Sequence, residues 1–309
     1  MLASFFKKSK PINFLIVGLF MAIYFIIANF FGQNTEYSWQ FLTKNIGYLI
    51  TYILLMVVLN FIVKRNTISK KNTYTILLFG FLTTLCLPVL QANELLIAAF
   101  FVLLALRRVI SLRSGLEIKK KIFDASLWVV VASLFYPLSI LFLILPFVGI
   151  FYYAIQDFKN LFIPLVAVFC VYFLITTGYF LVLDTPFYLS QYFVFPSLNL
   201  EVYQEADVFI PLMIISLFTI LSLFFFLKEL QLTIRKRKPM LFLIFLFFII
   251  GLLIVLLSPQ KTGSELIFPF IGVSVIGTIF LEHKGGKILK EITLGILALA
   301  VLIIPFVLW

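Results

Sequence analysis

The chain has 309 residues, of which 63% are hydrophobic and 12% charged. Lipid can solvate that much apolar surface and a soluble domain cannot hide it, so an ordinary soluble enzyme or binding module is excluded. The net charge of +11 does not point to nucleic acid, because Lys and Arg sit in short loops between apolar runs, where membrane topology requires them.

Lys7, Lys8 and Lys10 precede a first apolar run at about 12–31, which is too long for a signal-peptide core and has no small-residue cleavage site after it. A short polar loop with Glu36, Tyr37 and Trp39 leads to a second span at about 45–63. A basic loop at 64–73 follows. Residues 74–106 are apolar but interrupted by Pro88 and by Gln91-Ala-Asn-Glu94, and the basic loop from Arg107 to Lys121 comes next. Residues 125–155 form another apolar stretch, interrupted at Tyr136-Pro137. Further spans are expected at about 161–183, 208–227, 240–257 and 267–281, with a last one running to Trp309. The loop at 184–207 is long, aromatic and acidic.

Charge decides how the two interrupted stretches run. A single crossing by either would carry a basic cluster to the outside, against the positive-inside rule. If each is a hairpin, every Lys and Arg except Lys44 and Lys261 falls on the cytoplasmic side. The expected fold is therefore all-α: a polytopic transmembrane bundle of about eleven spans, N-terminus cytoplasmic and C-terminus outside, with two short helical hairpins in one transmembrane domain over residues 1–309. A helix of about 16 residues reaches roughly 24 Å, short of a hydrocarbon core of about 30 Å. The hairpin turns are thus expected below the outer surface, flooring a depression near Glu94 and Tyr136.

Chemistry on the outer face has few residues to draw on. Glu94 follows Gln91 and Asn93 at a hairpin turn and is either a functional carboxylate or an interfacial helix cap. Glu36 is either a general base or a solvated loop charge. Lys261, in the polar stretch Ser258–Phe270, suits a phosphate or pyrophosphate as a point charge, or pairs with Glu265 four residues on. Lys44 has the same two options of phosphate contact and snorkelling anchor. Tyr188 and Tyr192 in the aromatic loop are candidates to line a substrate cavity, and an interfacial helix there is the alternative. Cys86, Cys170 and the single His283 have no metal-ligand spacing.

The unit Ser258-Pro-Gln-Lys261, followed by Phe268-Pro269, resembles a motif near the end of polyprenyl-phosphate-sugar-dependent glycosyltransferases of the integral-membrane C-type fold. That resemblance implies transfer of a sugar from a polyprenyl-phosphate carrier on the outer face of a bacterial inner membrane. It implies Glu36 as base, Glu94 in support and Lys261 near the lipid phosphate, and it leaves divalent-metal dependence open. The first outer loop is shorter than in that family and carries Glu36 without a second acid. As a whole the chain is similar to an uncharacterised polytopic membrane family of Bacteroidota, including the start Phe5 to Asn13. The alternatives are a non-catalytic membrane subunit of an envelope, secretion or gliding complex and, behind it, a transporter, since no span carries a charge at its middle. The expected partners are the bilayer, a polyprenyl-phosphate lipid and envelope-complex proteins, with no nucleic acid.

Overall fold

The computed structural model describes residues 2–30, 38–91, 94–185, 196–235, 237–283 and 287–308. It is helical throughout, with no strand among the described residues. The helices are α1 Leu2–Phe6, α2 Pro11–Phe30, α3 Trp39–Arg65, α4 Tyr74–Leu85, α5 Leu87–Leu90, α6 Glu94–Ser111 and α7 Ile118–Phe135. They continue as α8 Ile144–Tyr153, α9 Ile163–Leu183, α10 Ala206–Leu232, α11 Lys238–Leu257, α12 Ile267–Glu282 and α13 Lys287–Leu308. Lipid offers no partner for a free amide or carbonyl, so helices that satisfy their own backbone are the structure such a composition permits.

Among the described residues, eight helices are long and apolar enough to cross a bilayer: α2, α3, α6, α9, α10, α11, α12 and α13. The protein is a multi-pass helical membrane protein. The expectation of about eleven spans exceeds this number because Tyr74–Leu85 and Pro137–Tyr153 are shorter apolar helices, and α7 opens with Lys119, Lys120 and Lys121.

Both interrupted stretches break where proline chemistry requires. Tyr136 precedes Pro137 and is extended, at φ −144° and ψ 106°, because the proline ring disfavours the helical region for its predecessor. Cys86 is likewise extended, and Pro88 occupies the first turn of α5, where its missing N–H costs no helical bond. After each break the chain turns back. Lys119 Nζ lies 3.2 Å from the Asp157 carboxylate, so the start of α7 and the segment after α8 meet at one end of the bundle. Gly149 of α8 sits against Val109 and Leu112, close enough that a Cβ there would come within 2.7 Å of Val109 Cγ1.

The core is α12, buried along its whole length, with α4 against it and equally buried. Lipid is as apolar as leucine, so helices inside a bilayer associate through close packing and hydrogen bonds rather than through hydrophobic burial. Two glycines allow that closeness where α11 crosses α12. A Cβ on Gly251 would lie 2.8 Å from Pro269 N, and one on Gly272 would lie 2.7 Å from Phe248 Cβ. Thr75 of α4 and Thr278 of α12 share a 3.0 Å hydrogen bond between their hydroxyls, and Tyr52 of α3 is bonded to Thr83 of α4.

The two ends differ in composition. At one end meet the N-terminal segment, the loops 64–73, 107–121 and 154–160, residues 229–235 and 237–238, and the end of α12. Tyr74 Oη donates to Ala3 O at 2.6 Å, Lys70 N donates to Glu282 Oε1 at 2.7 Å, and Arg237 donates to Ile68 O at 2.5 Å. This basic end carries the Lys and Arg clusters. The opposite end is formed by the breaks after α4 and α7, the start of α10 and the stretch Ser258–Leu266.

Candidate functional site

The site grows out of the end of α11. The last carbonyls of a helix have no intrahelical partner, and here a lysine reaches back to cap them. Lys261 Nζ donates to Leu256 O and to Ser258 O, each at 3.1 Å, and to Ser197 O across the bundle end. An ammonium has three N–H donors, and all three are engaged. A cation at a helix C-terminus also meets the negative end of the helix dipole. Lys261 is 8% exposed.

Three residues on, the chain must reverse into α12. Gly263 makes the turn at φ +85°, a left-handed conformation open to glycine, and packs at 3.2 Å on Pro88. Thr262 and Ser264 share a 2.6 Å hydroxyl hydrogen bond within the turn. Glu265 follows, only 1% exposed. Its Oε1 accepts from Tyr203 Oη at 2.5 Å, and its Oε2 accepts from Thr262 Oγ1 at 3.3 Å and Thr262 N at 3.4 Å. Burial first, and then the neighbouring Glu265 charge, push the Tyr203 phenol well above its ordinary value, so it remains a donor. Lys261 and Glu265 make no ion pair with each other, because Gly263 breaks the turn between them and each has its own partners.

The second hairpin joins the same cluster. Tyr136 Oη donates to Ser258 Oγ at 3.1 Å, Ser258 Oγ donates to Gln260 O at 3.0 Å, and the Tyr136 ring stacks on Phe268 with centroids 5.8 Å apart. The stretch 258–266 thus lies between the two hairpin turns, where a depression was expected. Irregular backbone at membrane depth needs protein or water against it, and the stretch 258–266 supplies protein, on Pro88 from one hairpin and Tyr136 from the other.

Of the residues singled out in the sequence, Tyr136, Lys261 and Glu265 come together here. Glu94 is the exposed first residue of α6. Lys44 is exposed in the early turns of α3. Neither shares a hydrogen bond or ion pair with the cluster. Glu36, Asn93, Tyr188 and Tyr192 lie outside the described residues. Ser197, Tyr203, Ser258 and Thr262 complete the cluster; Tyr203 lies in the aromatic loop, but nothing in its spacing points to Glu265. Among the described residues no three of His, Cys, Asp and Glu are grouped to hold a metal. Chemically, the arrangement is a closed set of donors and acceptors: the ammonium has no spare N–H, and the carboxylate is buried and already bonded on both oxygens.

Comparison with functionally curated proteins and with solved structures returns no match. One family does match, over residues 1–308, and its description is a family of unknown function, DUF6427. With that coverage, this multi-pass helical chain belongs to the DUF6427 family.

Proposed function

We propose that the chain is a non-catalytic membrane subunit of a bacterial envelope complex, held in the inner membrane with its basic end in the cytoplasm. The observation that carries this reading is the outer half of α9. Residues 172–185 include none that is buried, whereas Pro164, Ala167 and Val171 in the first half are buried. Phe173, Leu174, Phe180 and Leu181 are each more than 60% exposed. A helix in a bilayer gains its stability of position from close packing, so the exposed apolar side chains Phe173, Leu174, Phe180 and Leu181 offer a surface for a partner span. Sidedness follows from the positive-inside rule, and the Lys119–Asp157 contact supports a hairpin at 125–155. On this reading α4, α7 and Pro137–Tyr153 complete about eleven crossings, and Lys261 sits outside.

A second reading keeps the glycosyltransferase-like activity. Its support is the convergence of Tyr136, Ser258, Lys261 and Glu265 at the end opposite the basic loops, where the resemblance places a carrier phosphate. A phosphate there would have to displace one of the carbonyls from Lys261.

The experiment compares variants for function in cells and for association in mild detergent. A subunit predicts that Glu36→Gln and Glu94→Gln are tolerated, while Phe173→Ser with Phe180→Ser releases a partner that the parent retains. Loss of function in Glu36→Gln or Glu94→Gln with normal insertion, and unchanged association in the α9 variant, would favour the enzyme.

A further inference from the structure

The basic end contains a feature that neither reading uses. α3, α6 and α7 line a half-open cavity of about 500 Å³, walled by Arg65, Arg107, Arg108, Arg113 and Lys121 and by no carboxylate. That volume lies in the range of small-molecule sites, roughly 300–1,000 Å³. One basic residue at a helix end complements the dipole and marks topology. Cations from three separate segments around one cavity exceed that need, because they repel one another.

Their present partners leave capacity over. Arg108 pairs with Asp124 at 3.1 Å. Lys121 Nζ is placed by Ser111 O at 3.2 Å and Ser114 Oγ at 2.6 Å. Arg107 lies over the Phe61 ring, 4.8 Å from its centroid. Among the described residues, Arg65 and Arg113 make no hydrogen bond and no ion pair through their side chains. Two guanidinium forks are thus free, and that planar fork matches phosphate oxygens two at a time.

Phe61 decides the kind of phosphate. It lies one turn inside α3 from Arg65, is 42% exposed, and forms an apolar wall on the bilayer side of the cations. A free phosphate gains nothing from that wall, whereas a lipid sets its phosphate among the arginines and its chains against the ring. We infer that this cavity is a binding site for a phosphate-bearing anion, and that its occupant is the headgroup of an anionic phospholipid. The basic surface of a cytoplasmic leaflet protein attracts such lipids in general; the convergence of Arg65, Arg107 and Arg113 on one cavity makes the contact a site.

The full chain in neutral micelles is titrated with phosphatidylglycerol, with phosphatidylcholine and with inorganic phosphate, and bound species are counted by native mass spectrometry. The pair Arg65→Gln and Arg113→Gln is compared with Lys8→Gln and Lys10→Gln, which removes the same charge elsewhere. Phosphatidylglycerol is expected to bind the parent in preference to phosphatidylcholine, to fall about tenfold in the arginine pair and to be unchanged in the lysine pair. Unchanged elution and helix content keep the arginine pair interpretable, and Arg113→Lys should recover only part of the loss. Binding of inorganic phosphate without phosphatidylglycerol would retain the anion site and overturn the lipid as its source. Equal losses in the two pairs, or no preference between the lipids, would overturn the site.

Discussion

Lys261 and Arg113 carry the same charge and meet opposite fates. Lys261 is buried at the end opposite the basic loops and spends its three donors on backbone carbonyls. Arg113 stands exposed on the rim of an arginine-lined cavity with no carboxylate beside it. The difference follows from what surrounds each. A buried charge is tolerable only when fully hydrogen-bonded, so Lys261 has become part of the fold. A charge at the water–lipid boundary is already solvated, so it remains available to an outside ligand. Charge alone therefore does not mark a site in this chain; the number of unspent donors does.

The sharpest way to break that comparison is Lys261→Met. It fills similar space but orphans the carbonyls of Ser197, Leu256 and Ser258, and is expected to cost about 3 kcal/mol, read as a lower unfolding temperature in detergent. Arg113→Gln measured alongside it should leave stability unchanged. Gly251→Val comes next, at about 2 kcal/mol, because its side chain meets the Pro269 backbone where α11 and α12 touch. Glu265→Gln keeps an acceptor for Tyr203 and loses only the charge on that bond, so about 1 kcal/mol is expected in the same assay.

The smallest effect belongs to the exposed pair at the basic end. The Lys119 ammonium, with the Lys159 amide, holds the Asp157 carboxyl below its usual range. A depressed carboxylate contributes stability above its unfolded value and loses it as the pH falls through its folded value. The parent should therefore lose a small amount of stability as the pH falls through the carboxylate range, and Lys119→Gln should flatten that part of the pH–stability curve.

Much of this was legible from residue order. Apolar runs mark the helices, and the breaks at Pro88 and Tyr136-Pro137 are written in proline chemistry. The count of independent crossings was less legible, because α4 and Pro137–Tyr153 are short and their depth depends on neighbours. That α12 is the buried centre was only faintly marked in hydropathy: its span is the least apolar of the eight, yet still apolar enough to cross a bilayer. Small residues were the available signal: Gly272, Ser274, Gly277 and Thr278 thin one helix enough to be surrounded. At the candidate site, the oddness of Ser258–Phe270 was visible, but its completion was not. Tyr203 meets Glu265 and Ser197 meets Lys261 only after the bundle closes, and no local period relates residues some sixty apart. The arginine cavity escaped for the same reason: singly, Arg65, Arg107 and Arg113 read as topology signals.

All of these readings rest on the segregation of the chain into a basic end and an opposite end facing different compartments. The direct measurement is thiol labelling of spheroplasts with a membrane-impermeant maleimide, in a background with Cys86 and Cys170 replaced by alanine. Gln260→Cys and Lys120→Cys are both at exposed positions. The account predicts that position 260 labels on intact spheroplasts and position 120 only after permeabilisation. Labelling of both from the same side, or of position 120 alone on intact spheroplasts, would contradict it.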